Sequence, residues 1–284
     1  MTAQSRITVA LAQLEQDIER PDVNLARALE HIERASRARA DIVLFPEMHL
    51  QGYRGDERLA QTAEPVPGPS TDRLIEAARA HDIHIVMGMA RRDEGFPHGV
   101  YNSACFVGPS GLIGCYDKIF LGTFHPFLEG VYFAPGDGTP VFDTPLGRAS
   151  LQVCYDASFP ELTRIYALKG AILNLVISAG PSAARESWSI TLRQRAKENG
   201  MWTVYCNTVG QQKDFSFFGG SKIVDPRGRI VIEAKFDAED FVVGEIDLAE
   251  AMLLRRQRLM FRDLKPRLFA ELAELSAGGA GAIR

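Results

Sequence analysis

The chain has few of the residues that build metal centres or disulfide frameworks: four cysteines, Cys105, Cys115, Cys154 and Cys206, and six histidines in 284 residues. No CxxC occurs, and the cysteine spacings fit neither zinc ligation nor a disulfide scaffold. His81 and His84 form an HxxH with no third ligand, so no metal is expected. A dominant charge is missing too, since 32 Lys+Arg against 36 Asp+Glu leave a net charge of −4 and a pI of about 5.9. With no basic block and no interleaved aromatics, no nucleic-acid partner is expected. No apolar run has the length of a membrane span, and the polar start MTAQSR is unlike a secretion signal. These absences point to a cytoplasmic protein with no membrane partner.

What is present is ordinary globular material, 46% hydrophobic and 24% charged, without internal repeats. Residues 7–14 read as a strand, and Pro21 opens a helix to about residue 40 with Leu25, Leu29 and Ile32 on one face. A buried strand over 41–45 follows, stopped by Pro46, with Glu47 at its end. Ser70 is expected to cap a helix carrying Leu74, Ile75 and Ala78, and 83–89 reads as the next strand. Strands 101–107 and 112–116 then meet in a hairpin through Gly108-Pro109-Ser110-Gly111, with Lys118 just beyond. A long aromatic loop reaches Gly138. Strands at 171–178 and 201–207 flank a helix over 185–199, and a second hairpin joins 221–224 to 229–233. A strand over 241–246 and a helix over 248–264 close the fold. Helix-linked strands at both ends with hairpins between them indicate mixed sheets. About ten to twelve strands overfill one sheet, so an α/β four-layer α-β-β-α sandwich with two mixed sheets is expected. It forms one domain over residues 1–270, followed by a tail, 271–284, that is flexible or contacts another subunit.

The stretch 151–161, LQVCYDASFPE, carries the strongest local signal. Apolar residues lead into Cys154, then Ser158 and Glu161 spell a capping box around Pro160. A cysteine at such a strand–helix seam lies near unpaired backbone N–H groups that favour a thiolate, although a buried structural thiol is the plain alternative. Glu47 and Lys118 also follow buried strands, and residues beyond strand ends share a crevice in α/β proteins. Together the three supply a nucleophile, a base and a cation for acyl transfer. Taken singly, Glu47 and Lys118 read equally as solvated surface groups. His49 and His125, in loops beside Glu47 and Lys118, are expected to line a pocket.

Phe45-Pro46-Glu47, Tyr116-Asp117-Lys118 and the run from Cys154 to Glu161 resemble, in order, the three signatures of the nitrilase (carbon–nitrogen hydrolase) superfamily. Residues 127–137, 189–210 and 218–228 resemble further blocks of that family. The resemblance implies the four-layer fold, often as a homodimer, and no cofactor. It implies Glu47 as general base, Cys154 as nucleophile, Lys118 as stabiliser of the tetrahedral intermediate and Glu129 as an orienting fourth member. The N–H of Tyr155 would share the oxyanion with Lys118. Cys154-Tyr155-Asp156 is similar to the amidase branch, so the substrate expected is a small-molecule amide cleaved through a thioester, with N-carbamoyl or nitrile hydrolysis as alternatives. An amide synthase or acyltransferase and a catalytically silent scaffold of the same fold are the remaining readings. Where such amidases often carry Trp-Pro, this chain has Ala179 within Ser178-Ala179-Gly180-Pro181, which implies a wider pocket. Phe124, Phe127, Trp188, Phe215 and Phe217 are candidates for its apolar wall, so acyl groups of apolar or aromatic character are expected. In 252–268, Met260, Phe261 and Leu264 are expected either at a subunit contact or on a helix whose arginines are solvated.

Overall fold

Alternation along the first strand sets the layering. In the computed structural model, which describes residues 5–18, 20–53, 58–93, 95 and 99–278, β1 (Arg6–Gln13) puts Val9 and Leu11 into one core cluster and Ala10 and Ala12 into another. Successive strand residues face opposite sides, so a strand apolar on both faces must be covered twice.

The first sheet runs in the order β14-β1-β2-β3-β4-β5, formed by β1, β2 (Ile42–Leu44), β3 (His84–Arg92), β4 (Val100–Gly108), β5 (Gly111–Asp117) and β14 (Asp240–Asp247). The second runs β13-β12-β9-β8-β7-β6, formed by β6 (Phe142–Thr144), β7 (Gly147–Val153), β8 (Leu173–Ser178), β9 (Trp202–Asn207), β12 (Lys222–Val224) and β13 (Ile230–Glu233). Helices α1 (Pro21–Arg37) and α3 (Pro69–His81) bury Ala28, Ile32, Leu74 and Ala78 against the outer face of the first sheet. Helices α5 (Pro160–Leu168) and α6 (Arg185–Asn199) bury Leu162, Tyr166, Leu192 and Ala196 in the cluster that joins both sheets. The short helices are α2 (Leu59–Thr62) and α4 (Glu129–Tyr132). Both sheets are mixed: β1-β2-β3 and β7-β8-β9 pair in parallel, the other neighbours antiparallel. The α-β-β-α sandwich is thus as expected. Cys105, Cys115 and Cys206 are strand residues, the first two paired across β4 and β5 with sulfurs 2.7 Å apart.

Some local expectations give way. A two-stranded ribbon, β10 (Val209–Gln212) with β11 (Phe215–Phe218), stands outside both large sheets, touching the rest of the chain's strand-type pairing through a bridge from Phe217 to Pro181, and was not legible. Ser70 does not cap α3. Gly68 holds that position, its N–H donating to Thr71 Oγ1 at 2.7 Å, while Ser70 donates its hydroxyl to Glu64. Nor does Ser158 cap α5: it ends a 3₁₀ turn, Cys154–Ser158, and Phe159 takes the N-cap without a side-chain bond. The helix expected to reach residue 264 is α7 (Leu248–Gln257), followed by a separate α8 (Pro266–Gly278). Helix α7 stops where Arg258 takes an extended backbone, and Pro266 opens α8 at a position where its missing N–H has no helical partner to lose. Residues 271–278 of the expected tail therefore belong to α8, and 279–284 lie outside the described residues, as does most of the MTAQSR start. Phe261, partly buried, packs against the chain's own core between the Arg164 and Arg255 guanidiniums, at 5.3 and 5.2 Å from its ring. Among the described residues no helix is long and apolar enough to cross a membrane.

One glycine fixes the approach to the site. A Cβ on Gly88 of β3 would sit 2.1 Å from the Pro46 carbonyl oxygen and 2.7 Å from Glu47 Cα. Only a residue without a side chain lets the segment carrying Glu47 turn across β3.

Candidate active site

Glu47, Lys118 and Cys154 leave the ends of β2, β5 and β7, two from the first sheet and one from the second, and meet between the sheets. Pro46 ends the strand pairing, and Glu47 is fully buried. Its Oε1 accepts from Lys118 Nζ at 2.9 Å and from Asn102 Nδ2 at 2.6 Å; its Oε2 accepts from the Ala179 N–H at 2.6 Å. Lys118 is as buried, and its ammonium also donates to Glu129 Oε1 at 2.7 Å. Glu129, at the start of α4, accepts from the Tyr53 hydroxyl at 2.8 Å and from the Gly122 N–H at 2.7 Å. One ammonium is thus held between two carboxylates away from water.

Burial governs the protonation of this group. Desolvation pushes Glu47 above the usual carboxylate range against the pull of Lys118. For Lys118 burial works in the opposite direction, but Glu129 and Glu47 outweigh it and hold the ammonium well above its ordinary value. The Cys154 thiol is pushed up, first by burial and then by the Glu47 charge, while Lys118 and the Ser178 hydroxyl pull it down. Burial thus favours the neutral thiol at Cys154 and raises the proton affinity of Glu47 beside it.

Cys154 opens the 3₁₀ turn with φ of +48°, a left-handed backbone uncommon for a residue with a side chain. Such strain, of about 1–3 kcal/mol, persists only where the surroundings enforce it. Arg195 of α6 braces the far end of the same turn by donating to the Ala157 and Ser158 carbonyls at 2.8 and 3.1 Å. The sulfur opens on a cavity of about 180 Å³. Lys118 and Glu129 form its floor and Phe124, Phe127, Tyr155 and Trp188 its walls.

The other expectations divide. Phe124, Phe127 and Trp188 line the cavity, as wall candidates should, and the Tyr155 side chain, expected to contribute its N–H, lines it too. Ala179 does not: its side chain is buried, and it meets the site only through the N–H it gives to Glu47. His125 is exposed and does not line this cavity. Phe215 and Phe217 stack edge-on around Tyr53, at 5.4 and 5.7 Å, instead of facing it. His49 is buried behind Glu47 against Phe45, and neither ring nitrogen has a hydrogen-bond partner. Tyr53, Asn102 and Asp156 escaped sequence reasoning. Asp156 lay inside the recognised motif, but nothing local marks Asn102 on its strand or Tyr53 in its loop.

His49 yields a stability prediction. Burial, with Arg27 and His31 nearby, lowers its pKa to about 3 from 6.5, and a weak backbone interaction at Asn24 offsets only part of this. The unfolded chain then binds the extra proton first, so stability falls as pH drops through 6.5 toward 3. Between pH 7 and pH 5 this group alone removes about 2 kcal/mol. Denaturant midpoints at the two pH values are expected to separate by that much less in His49→Phe than in the wild type.

The geometry can be set beside known proteins. A model of the carbon–nitrogen hydrolase family matches residues 8–256. A nitrilase of Pyrococcus abyssi is 35% identical over 89% of this chain and 93% of its own length. The Homo sapiens omega-amidase NIT2 is 32% identical over 92% of this chain and 96% of its own. An amidase from Nesterenkonia sp. superposes with a TM-score of 0.79 at 27% identity, over 96% of this chain and 98% of its own. Motif order, fold and matched length agree: the chain belongs to the carbon–nitrogen hydrolase family.

Proposed function

We propose that this protein is an amidase that cleaves the C–N bond of a small carboxamide through a Cys154 thioester. The observation that carries the reading is that one strained cysteine borders a cavity also lined by Lys118 and Glu129, with Glu47 on the same ammonium. Glu47 takes the thiol proton as sulfur attacks the carbonyl carbon. Its raised pKa makes it a stronger base and narrows the gap to the thiol. Lys118 and the Tyr155 N–H meet the negative oxygen of the tetrahedral intermediate. Collapse breaks the C–N bond, the amine leaves with the proton held by Glu47, and Glu47 then deprotonates the water that hydrolyses the thioester. Glu129 fixes Lys118 throughout.

The cavity supports a neutral acyl group of about one ring. Its 180 Å³ compares with the roughly 150 Å³ apolar cavity that accepts benzene. Among its described lining residues the only cation is Lys118, already shared by two carboxylates, so a distal carboxylate on the substrate finds hydroxyls but no free cationic partner. Leaving such a charge unpaired is costly. In an ammonia-release panel, aromatic and branched aliphatic amides are expected to exceed short dicarboxylate monoamides by about ten-fold or more in kcat/KM. Equal or faster turnover of the charged amides would refute the acyl preference. Turnover of nitriles but not amides would refute the amidase reading.

A further inference from the structure

Asp156 is fully buried two residues beyond Cys154, and its carboxylate gathers donors from two separate segments. Oδ1 accepts from the Phe120 N–H at 2.9 Å. Oδ2 accepts from the Tyr116 hydroxyl at 2.8 Å and from the Val153 N–H at 2.9 Å. Tyr116 and Phe120 stand two residues either side of Lys118, on the first sheet and the loop leaving it. Val153 is the last residue of β7 and directly precedes Cys154. The carboxylate therefore bridges the segment that delivers the ammonium and the segment that delivers the sulfur.

We propose that Asp156 is the positioning residue that holds Lys118 and Cys154 at their working separation. The inference rests on the amidase reading for its kinetic consequence but not for its geometry. Apart from this bridge, Lys118 is fixed toward Glu47 and Glu129, and Cys154 is fixed by a strained turn that α6 supports from behind. Glu47 also reaches the second sheet through the Ala179 N–H, but it is the Asp156 carboxylate that joins the two segments that themselves carry Lys118 and Cys154. Three acceptor positions are needed at once, and only an ionised carboxylate offers them within two atoms. Burial raises Asp156 to about 6, while Lys118 and the donors from Phe120, Val153 and Tyr116 hold it down, so the carboxylate is ionised at neutral pH. In Asp156→Asn one oxygen becomes an NH₂ that opposes the Val153 N–H or the Phe120 N–H, donor against donor. One side of the bridge must let go.

The test compares wild type, Asp156→Asn and Tyr116→Phe in steady-state kinetics and in the rate at which iodoacetamide alkylates Cys154, read by peptide mass against Cys105, Cys115 and Cys206. Misplacing a reacting group by about 1 Å costs up to roughly 10²-fold, so Asp156→Asn is expected to lose about that factor in kcat with KM little changed. Its Cys154 alkylation is expected to slow in parallel, and Tyr116→Phe, which removes one bond of the three, to show a smaller loss of the same kind. A folded Asp156→Asn with wild-type kcat and alkylation overturns the proposal. So does a loss that appears in KM or merely follows the folded fraction. If Asp156→Asn does not fold, Tyr116→Phe decides alone, and unchanged kcat and alkylation in it overturn the proposal. If the wild type hydrolyses no amide, the amidase reading fails, and the alkylation rates still judge Asp156.

Discussion

Cys154→Ala is expected to abolish amide hydrolysis, by at least about 10⁴-fold in kcat, with the fold and ligand cavity retained. The size follows from chemistry: without sulfur there is no thioester, and water must attack an unactivated amide with only the oxyanion contacts to help. The fold survives because Cys154 makes no bond that the second sheet depends on, and alanine tolerates the positive φ no worse than cysteine. Rapid quench of the wild type with substrate should show Cys154 carrying a mass increment equal to the acyl group, absent from the variant. If Cys154→Ala retains substantial turnover, water is the nucleophile and the thioester mechanism is wrong. The increment separates the two outcomes independently of rate.

Lys118→Met carries the largest expected stability effect. The wild-type ammonium touches Glu47 at 2.9 Å and Glu129 at 2.7 Å, with all three side chains nearly inaccessible. Removing it leaves two buried carboxylates facing one another, and breaking a buried pair by deleting one partner costs about 3–5 kcal/mol. The loss should depend on pH. Without Lys118 the folded-state carboxylates have raised affinity for a proton, so the folded chain binds more protons than the unfolded one and the variant regains stability as pH falls from 7 toward 5. The His49 contribution runs in the opposite direction over that window, so the comparison must be made in the His49→Phe background. Lys118→Met combined with Glu129→Gln is expected to recover part of the loss at pH 7 by denaturant unfolding. No recovery in the double variant would mean that like-charge repulsion is not the cause.

Elements with a repeating pattern were legible. The apolar runs of β2, β3 and β8 and the stripes of α1 and α3 lie where periodicity puts them, because each is apolar on the faces it buries. Glu47 and Cys154 were legible because each stands just beyond such a strand, whereas Lys118 follows β5, an edge strand that is mostly half-buried and not the buried strand expected there. Boundaries that depend on competing caps were not. Ser158 has the chemistry of an N-cap, but the left-handed start at Cys154 and the grip of Arg195 on the Ala157 and Ser158 carbonyls draw it into the 3₁₀ turn instead. The ribbon β10-β11 has four-residue strands outside both large sheets, too short to show a repeating pattern. Ala179 illustrates a different failure: its size was read as pocket width, whereas its contribution is a backbone N–H that no side-chain pattern encodes.

The sequence by itself determined the order of the main sheet strands and the longer helices up to α7, the α/β class and the chemical inventory of thiol, carboxylates and amine, since these depend on local periodicity and residue type. Tertiary structure alone decided that Lys118 is shared by carboxylates 71 and 11 residues away, that Asp156 bridges two strand ends, and that His125 faces solvent while His49 is sealed behind the site. It also decided the protonation of the group. Desolvation and the count of converging donors set whether a carboxyl is a base or a bystander, and both belong to a neighbourhood assembled from distant parts of the chain.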